Sequence, residues 1–292
     1  TRFYSHGRQT AKSILIIHGL HESPAFMHGF SQYFFDKGYN VLSLRLPLHM
    51  MKNPRDLNDV KASMWIKAAE QAFHQAQALG IQTEVLGYST GGTLGVYLAL
   101  NYPEQVKNLY LIAPALALDD RVFLTSTLAG CTKKDLSTFC SAANADKIGC
   151  KILLATDDQL KVMVKDNIYS SPAAGFQVQN LINKIEQQFN PNPSQSVDGK
   201  RDYYGSLTAT YLQMKVPIVM INSELDNVVK ASFNDRLMRN YKYPNKKLLF
   251  KKIAGVNHIM INKARVDAFK NSPQIYNPYF NDMTNLIEEL NR

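Results

Sequence analysis

Cysteine is scarce: the 292 residues hold three, Cys131, Cys140 and Cys150, all in one short stretch. An odd number excludes a complete disulfide framework. A Cys131–Cys140 loop in an oxidising compartment, contributing roughly 2–3 kcal/mol on the loop-entropy model, and three reduced thiols stand as equal readings. Long apolar runs are missing too. Nothing approaches the roughly eighteen residues a membrane-spanning helix needs, so no integral membrane segment is expected. No signal-peptide pattern is visible. The chain opens on Thr1, so a removed leader and a trimmed chain are both admissible, and cytoplasmic and exported locations stay open. Concentrated charge is also lacking. The net charge is +9 and the pI about 9.3, which favours acidic partners or an anionic membrane surface. Yet the basic residues are scattered, in clusters no longer than Lys133-Lys134 or Lys246-Lys247. No aromatic residues interleave with them, so a nucleic-acid partner is not expected.

What is present is the composition of a globular enzyme, 45% hydrophobic and 20% charged. The length allows one large domain or two small ones and a core that needs no metal or disulfide. Short β-branched runs at 13–17 and 39–44 read as buried strands, with a helix over 24–37 between them that stops at Gly38. A strand–helix–strand unit of this kind implies a parallel pair. A second helix spans 58–78. Val60, Met64, Ala68 and Ala72 line one stripe of it, with Trp65, Ala69, Phe73 and Ala76 beside them. Further strands are expected at 83–88, 106–113, 216–222 and 247–253, with helices at 91–100 and 278–290. The alternation predicts an α/β, doubly wound, mostly parallel sheet with helices on both faces.

About a hundred residues, 114–215, interrupt the rhythm and must carry structure of their own. They include a short strand candidate at 151–155, a helix candidate at 176–189 and a polar loop at 190–196. The expected organisation is a core of 1–113 and 216–292 with an inserted cap or lid at 114–215.

The strongest chemical signal is Gly87-Tyr88-Ser89-Thr90-Gly91-Gly92. It matches G-x-S-x-G between a buried strand and an apolar helix, the setting of a nucleophile elbow. The glycines permit a sharp turn, and the following helix N-terminus suits a developing oxyanion. A phosphate-cradling turn would need Lys-Ser/Thr at the helix start, which is absent. A serine hydroxyl needs a base to take its proton. His258, just after the last strand, has the right place, while His74 lies in a helix and His6, His21 and His28 lie near the N-terminus. The acid that orients it is expected at Asp226, past the strand at 216–222, with Asp119, Asp120 and Glu224 as alternatives and a helix-capping role as the plainer one. The oxyanion hole needs two backbone N–H groups, from Thr90 after the nucleophile and from Leu20 in His18-Gly19-Leu20, with His21 as the neighbouring alternative.

Together His18-Gly19-Leu20, the elbow around Ser89, Asp226 and His258 resemble the α/β-hydrolase superfamily, and within it the carboxylesterase and monoacylglycerol-lipase-like group of serine hydrolases. The resemblance covers residues 13 to about 100 and 216 to the end, and not the cap. It implies an α/β-hydrolase fold with a Ser-His-Asp triad of Ser89, His258 and Asp226. Two departures stand out. Where relatives often carry Gly-His-Gly, this chain has Arg45-Leu46-Pro47-Leu48-His49-Met50. The segment before the first parallel strand, 1–11, is also too short for the usual full antiparallel pair, so the sheet is expected to lack an edge strand.

The expected function is hydrolysis of a carboxylic ester, of short or medium acyl chain or monoacylglycerol-like, through an acyl-enzyme, with a small-molecule substrate. No metal or organic cofactor is expected, and the oligomeric state is open. Tyr88, His21 and Phe176 are candidate substrate-binding residues. Phe176, Val178, Leu181 and Ile185 either line an acyl pocket or fasten the cap helix to the core. Amide or peptide hydrolysis by the same triad is the alternative, and a non-catalytic hydrolase-fold binding protein is the alternative of another class. Haloalkane dehalogenase and epoxide hydrolase readings are disfavoured because the elbow holds serine, not aspartate.

Overall fold

The structure, a computed structural model, describes residues 1–119, 171–192, 203–241, 247–258, 260 and 277–292. The strand candidate at 151–155, the three cysteines and Asp120 lie outside the described residues. Among the described residues seven strands form one sheet: β1 (Arg2–Tyr4), β2 (Thr10–Ile17), β3 (Asn40–Leu44), β4 (Gly80–Tyr88), β5 (Val106–Ile112), β6 (Ile218–Ser223) and β7 (Leu248–Ile253). Their order across the sheet is β1-β3-β2-β4-β5-β6-β7. All neighbours are parallel except β1, which runs antiparallel to β3 with Phe3 opposite Leu42. The sheet therefore does have an antiparallel edge strand. Three residues suffice for it, because Gly7, at φ 73°, lets the chain turn between β1 and β2.

The α-helices among the described residues are α1 (His28–Asp36), α2 (Ala62–Leu79), α3 (Thr90–Asn101), α4 (Pro172–Phe189), α5 (Tyr203–Tyr211), α6 (Ala231–Asn240) and α7 (Phe280–Asn291). Two helix starts differ from the sequence reading. Residues 24–27 form turns ahead of α1. A separate 3-10 turn, Pro54–Asp59, precedes α2, and Val60 is extended and breaks the two apart. The stripe of α2 also corrects the sequence reading. Ala62, Trp65, Ala69, Ala72, Phe73 and Ala76 are buried, whereas Met64 is exposed. Met64 and Trp65 lie about 100° apart around the helix, and it is the stripe through Trp65 that meets the sheet.

Strand pleating divides the core in two. Leu15, Ile17, Val85, Leu109, Leu111, Ile218 and Met220 pack under α2, α3 and α4. Ile14, Ile16, Leu86, Tyr110, Ile112, Val219 and Ile221 pack under α1 and α7. Consecutive residues of one strand thus serve opposite layers, which is why these strands read as unbroken apolar runs. Ala174, Val178, Leu181, Ile182 and Ile185 of α4 are all buried in the first layer with Trp65. Of the two roles set out for that apolar face, those residues fill the packing one. Phe176 is only partly buried.

The chain passes from β2 to β3 on one side and then to β4 on the other, so the strand order reverses between the parallel neighbours β2 and β4. Ligands of open α/β sheets sit beyond the carboxyl ends of the strands at such a switch point. Ile17 is paired with Gly87 there, which brings the segment after Ile17 beside the segment after Gly87.

Candidate active site

Ser89 stands between β4 and α3 with φ 52° and ψ −117°, a left-handed conformation rare and strained for a side chain with Cβ. Its surroundings hold it there. Ser89 N–H donates to the Ile112 carbonyl at 2.9 Å, and its own carbonyl accepts from Gly92, Thr93 and Ala115. The glycines of the elbow are required by space. A Cβ on Gly91 would lie 2.1 Å from the Ile17 oxygen, and one on Gly87 would lie 2.2 Å from the Gly91 oxygen. The first turn of α3 therefore crosses the ends of β2 and β4 at a distance only hydrogen permits.

The loops after β6 and β7, which carry the residues that meet Ser89, are joined to each other. Leu225 N–H donates to the Val256 carbonyl at 2.8 Å, and Glu224 N–H to the Ile253 carbonyl at 2.9 Å. The Glu224 carboxylate accepts from Gly255 N–H at 3.0 Å, where the chain turns at φ 69°. This lattice carries Asp226 and His258. His258 Nδ1 is 2.8 Å from Asp226 Oδ2, and His258 Nε2 is 2.9 Å from Ser89 Oγ. Asp226 Oδ1 accepts from the Val228 and Val229 N–H groups, both at 2.9 Å. Burial pushes the Asp226 carboxyl up, but the hydrogen bond and charge of His258 and the two amides outweigh it and hold the group below the usual carboxylate range. Ionised Asp226 thus faces the histidine Nδ1, and Nε2 is directed at the serine oxygen.

The described residues among the alternatives make other contacts. Glu224 serves Gly255. Asp119 N–H donates to the Val228 carbonyl, which ties its segment to the Asp226 loop. His74 bonds Gln77 on α2, His28 bonds the Tyr4 hydroxyl and His6 stacks on Phe35.

The turn after β2 lies directly over Ser89: a Cβ on Gly19 would sit 3.1 Å from Ser89 Cβ. Leu20 follows in that turn, and Thr90 is the first residue of α3, whose amide has no intrahelical partner. His21, at φ 62°, accepts the Ser171 N–H on Nε2 at 2.9 Å. That links the turn to the start of α4, where the Ser171 hydroxyl also bonds Asn58 at 2.7 Å. Tyr88 is buried. Its hydroxyl donates to the His258 carbonyl at 2.7 Å, and its ring stacks on the imidazole with centroids 5.9 Å apart. Neither this role of Tyr88 nor that of Ser171 is written in a motif. Among the described residues no His, Cys, Asp and Glu side chains are grouped as a metal ion would need, and no helix is long and apolar enough to cross a membrane.

His49 is buried against His18 and Trp65, with ring centroids 5.1 and 5.7 Å away, so it packs behind the Gly19 turn. Burial lowers its pKa to about 4. His18 is driven well below 6.5 by burial and by His49.

Comparison with known proteins agrees with the fold. Residues 8–263 match the model of the family described as serine aminopeptidase, S33. No curated protein matches the chain. Among solved structures, a metagenome-derived lipolytic enzyme from a study of LipS and LipT superposes with a TM-score of 0.61 at 17% identity, covering 99% of this chain and 96% of that one. A soluble variant of monoglyceride lipase from Saccharomyces cerevisiae gives 0.59 at 13% identity, covering 99% and 90%. The monoacylglycerol lipase of Paleococcus ferrophilus gives 0.54 at 14% identity, covering 94% and 97%. At these identities the likeness is one of fold, and the family match carries the assignment: the chain is a hydrolase of the α/β-hydrolase fold and belongs to the serine aminopeptidase S33 family.

Proposed function

We propose that this hydrolase cleaves a carboxylic ester through an acyl-enzyme. The observation that carries the reading is the continuous relay from Asp226 through His258 to Ser89, with links of 2.8 and 2.9 Å. Ser89 Oγ attacks the ester carbonyl while His258 Nε2 takes its proton. The N–H groups of Leu20 and Thr90 hold the oxyanion. Collapse of the tetrahedral intermediate expels the alcohol, which receives the proton from His258. Water, deprotonated by the same nitrogen, then attacks the acyl group and regenerates Ser89. Asp226 keeps the imidazole in the tautomer that presents a bare Nε2 and stabilises its cation. The segment 114–215 acts as a cap that selects the substrate, with Phe176 at its contact with the acyl chain and His21 tying the cap to the oxyanion turn. A short or medium acyl ester, or a monoacylglycerol-like one, is the substrate class, in keeping with the lipolytic names of the similar structures.

Hydrolysis of a p-nitrophenyl ester series from acetate to palmitate, beside Ser89→Ala, tests this. Turnover that vanishes in the variant supports the ester reading, and the chain-length optimum sizes the acyl site. The family's aminopeptidase description favours one second reading, amide cleavage by the same residues. Aminoacyl p-nitroanilides test it in parallel: turnover of anilides without esters would replace the ester reading.

A further inference from the structure

Glu22 is an acid that the relay does not use, yet it is buried against the turn that covers Ser89, with only 3% of its surface exposed. Its Oε2 accepts the Gly19 N–H at 3.0 Å, and its own N–H donates to the Gly19 carbonyl at 3.3 Å. The same carbonyl lies 2.8 Å from His18 Nδ1, while His18 Nε2 accepts the Leu46 N–H at 3.1 Å. Only one imidazole tautomer satisfies both neighbours, the neutral ring with its proton on Nδ1. The low pKa of His18 keeps the ring in that state.

The consequence concerns Leu20. The Gly19 carbonyl and the Leu20 N–H belong to one planar peptide and point in opposite directions. Fixing the carbonyl toward His18 and the Glu22 amide therefore fixes the Leu20 N–H to the other side. The Gly19 N–H, held on the Glu22 carboxylate, fixes the preceding peptide as well. A turn gripped at both peptides presents its donor without reorganisation when charge develops, the condition under which such donors are worth most.

We propose that Glu22 is a positioning residue for hydrolysis: its carboxylate, together with His18, locks the Gly19–Leu20 turn so that the Leu20 N–H faces the acyl oxygen of bound substrate. The proposal rests on the acyl-transfer reading of Ser89. It assigns to Glu22 an effect on the transition state and none on ground-state binding. A buried glutamate that only completes a turn would affect stability and leave the folded protein's turnover alone.

The test uses the full chain as parent, Glu22→Ala, Glu22→Gln and Ser89→Ala. Three quantities are read: the labelling rate of Ser89 by a fluorophosphonate, followed by intact mass; kcat and KM on p-nitrophenyl butyrate; and the thermal midpoint. Glu22→Ala is expected to slow labelling and kcat by about 10- to 100-fold, with KM within about twofold of the parent. Glu22→Gln is expected to recover most of that loss, since an amide oxygen also accepts from Gly19. A Glu22→Ala protein that unfolds earlier but labels and turns over at parental rates overturns the proposal. So does a Glu22→Gln protein as slow as Glu22→Ala. Labelling at Ser89 without turnover of any ester would defeat the ester reading alone, with the labelling rates still deciding on Glu22. Absence of labelling in the folded parent would defeat both.

Discussion

Tyr88 precedes Ser89 in the chain and holds His258 in space, its hydroxyl donating to the His258 main-chain carbonyl at 2.7 Å. Ser89 and His258, 169 residues apart, are thereby referred to one strand end. Tyr88→Phe keeps the ring contact and removes the hydroxyl, with its bond to the His258 carbonyl and the longer one it accepts from the Met260 N–H at 3.4 Å. A net loss of about 1 kcal/mol in stability is expected. kcat should fall on the order of tenfold with little change in KM, as the base is less well placed. Urea unfolding and steady-state kinetics on the ester series check both. An unchanged kcat would show that the Asp226 contact alone orients the ring.

Asp226 has two separable duties, one oxygen on His258 and the other on the Val228 and Val229 amides. Asp226→Asn retains an acceptor and loses the charge that fixes the tautomer, so kcat should drop by on the order of 10⁴ while the fold survives. The depressed pKa also has a sign. Ionised Asp226 contributes stability above its unfolded value of about 3.8, lost as pH falls through the lower folded value. The variant should therefore show a shallower acid limb below pH 4 in its unfolding free energy.

His49 predicts instability at milder acidity. Its pKa falls from 6.5 in the open chain to about 4 in the folded one, so the unfolded chain binds the proton first. Stability should decline as pH drops below 6.5 and level off near 4, by on the order of 3 kcal/mol from this group. His49→Asn retains a donor for the Pro47 carbonyl, which the Nδ1 of His49 meets at 3.0 Å, and removes the titration. Denaturation followed by circular dichroism should then shift its acid midpoint to lower pH. An identical midpoint would place the acid sensitivity in other groups.

The two kinds of glycine in the chain should respond differently to alanine. A methyl on Gly91 meets the Ile17 carbonyl at 2.1 Å, backbone that cannot yield, so Gly91→Ala should give insoluble or inactive protein. Gly38 has φ 87° and open space around its Cβ position. Gly38→Ala should cost about 1 kcal/mol from the left-handed backbone alone and leave kcat intact. Soluble yield and thermal midpoints of the two variants distinguish these outcomes.

The alternation of buried strands and helices, and the elbow sequence Gly87 to Gly92, were legible in the chain because both follow from local chemistry. An apolar β-branched run has few other places to go, and a sharp strand-to-helix turn admits few residues besides glycine. Ser89, His258 and Asp226 could be singled out from their order and from their places after strands. Helix starts were less legible. The 3-10 segment at Pro54–Asp59 ran into the expected helix, and which of two adjacent apolar stripes of α2 met the sheet was a matter of packing. The edge strand Arg2–Tyr4 is too short to carry a pattern of its own and exists because β3 offers it an unpaired edge.

The sequence by itself determined which residues could become nucleophile, base and acid, because each sits just beyond a strand whose burial its own residues dictate. Only the tertiary structure decided that the three meet. The reversal of strand order between β2 and β4 brings the Gly19 turn over Ser89, and the hydrogen bonds between the loops after β6 and β7 carry Asp226 to His258. It also decided the parts played by Glu22, Tyr88 and His49. Each acts through a backbone carbonyl or amide, or a ring, far from it in the chain or across a tight turn, and a residue's neighbours in space are set by the packing of the whole fold rather than by its neighbours in sequence.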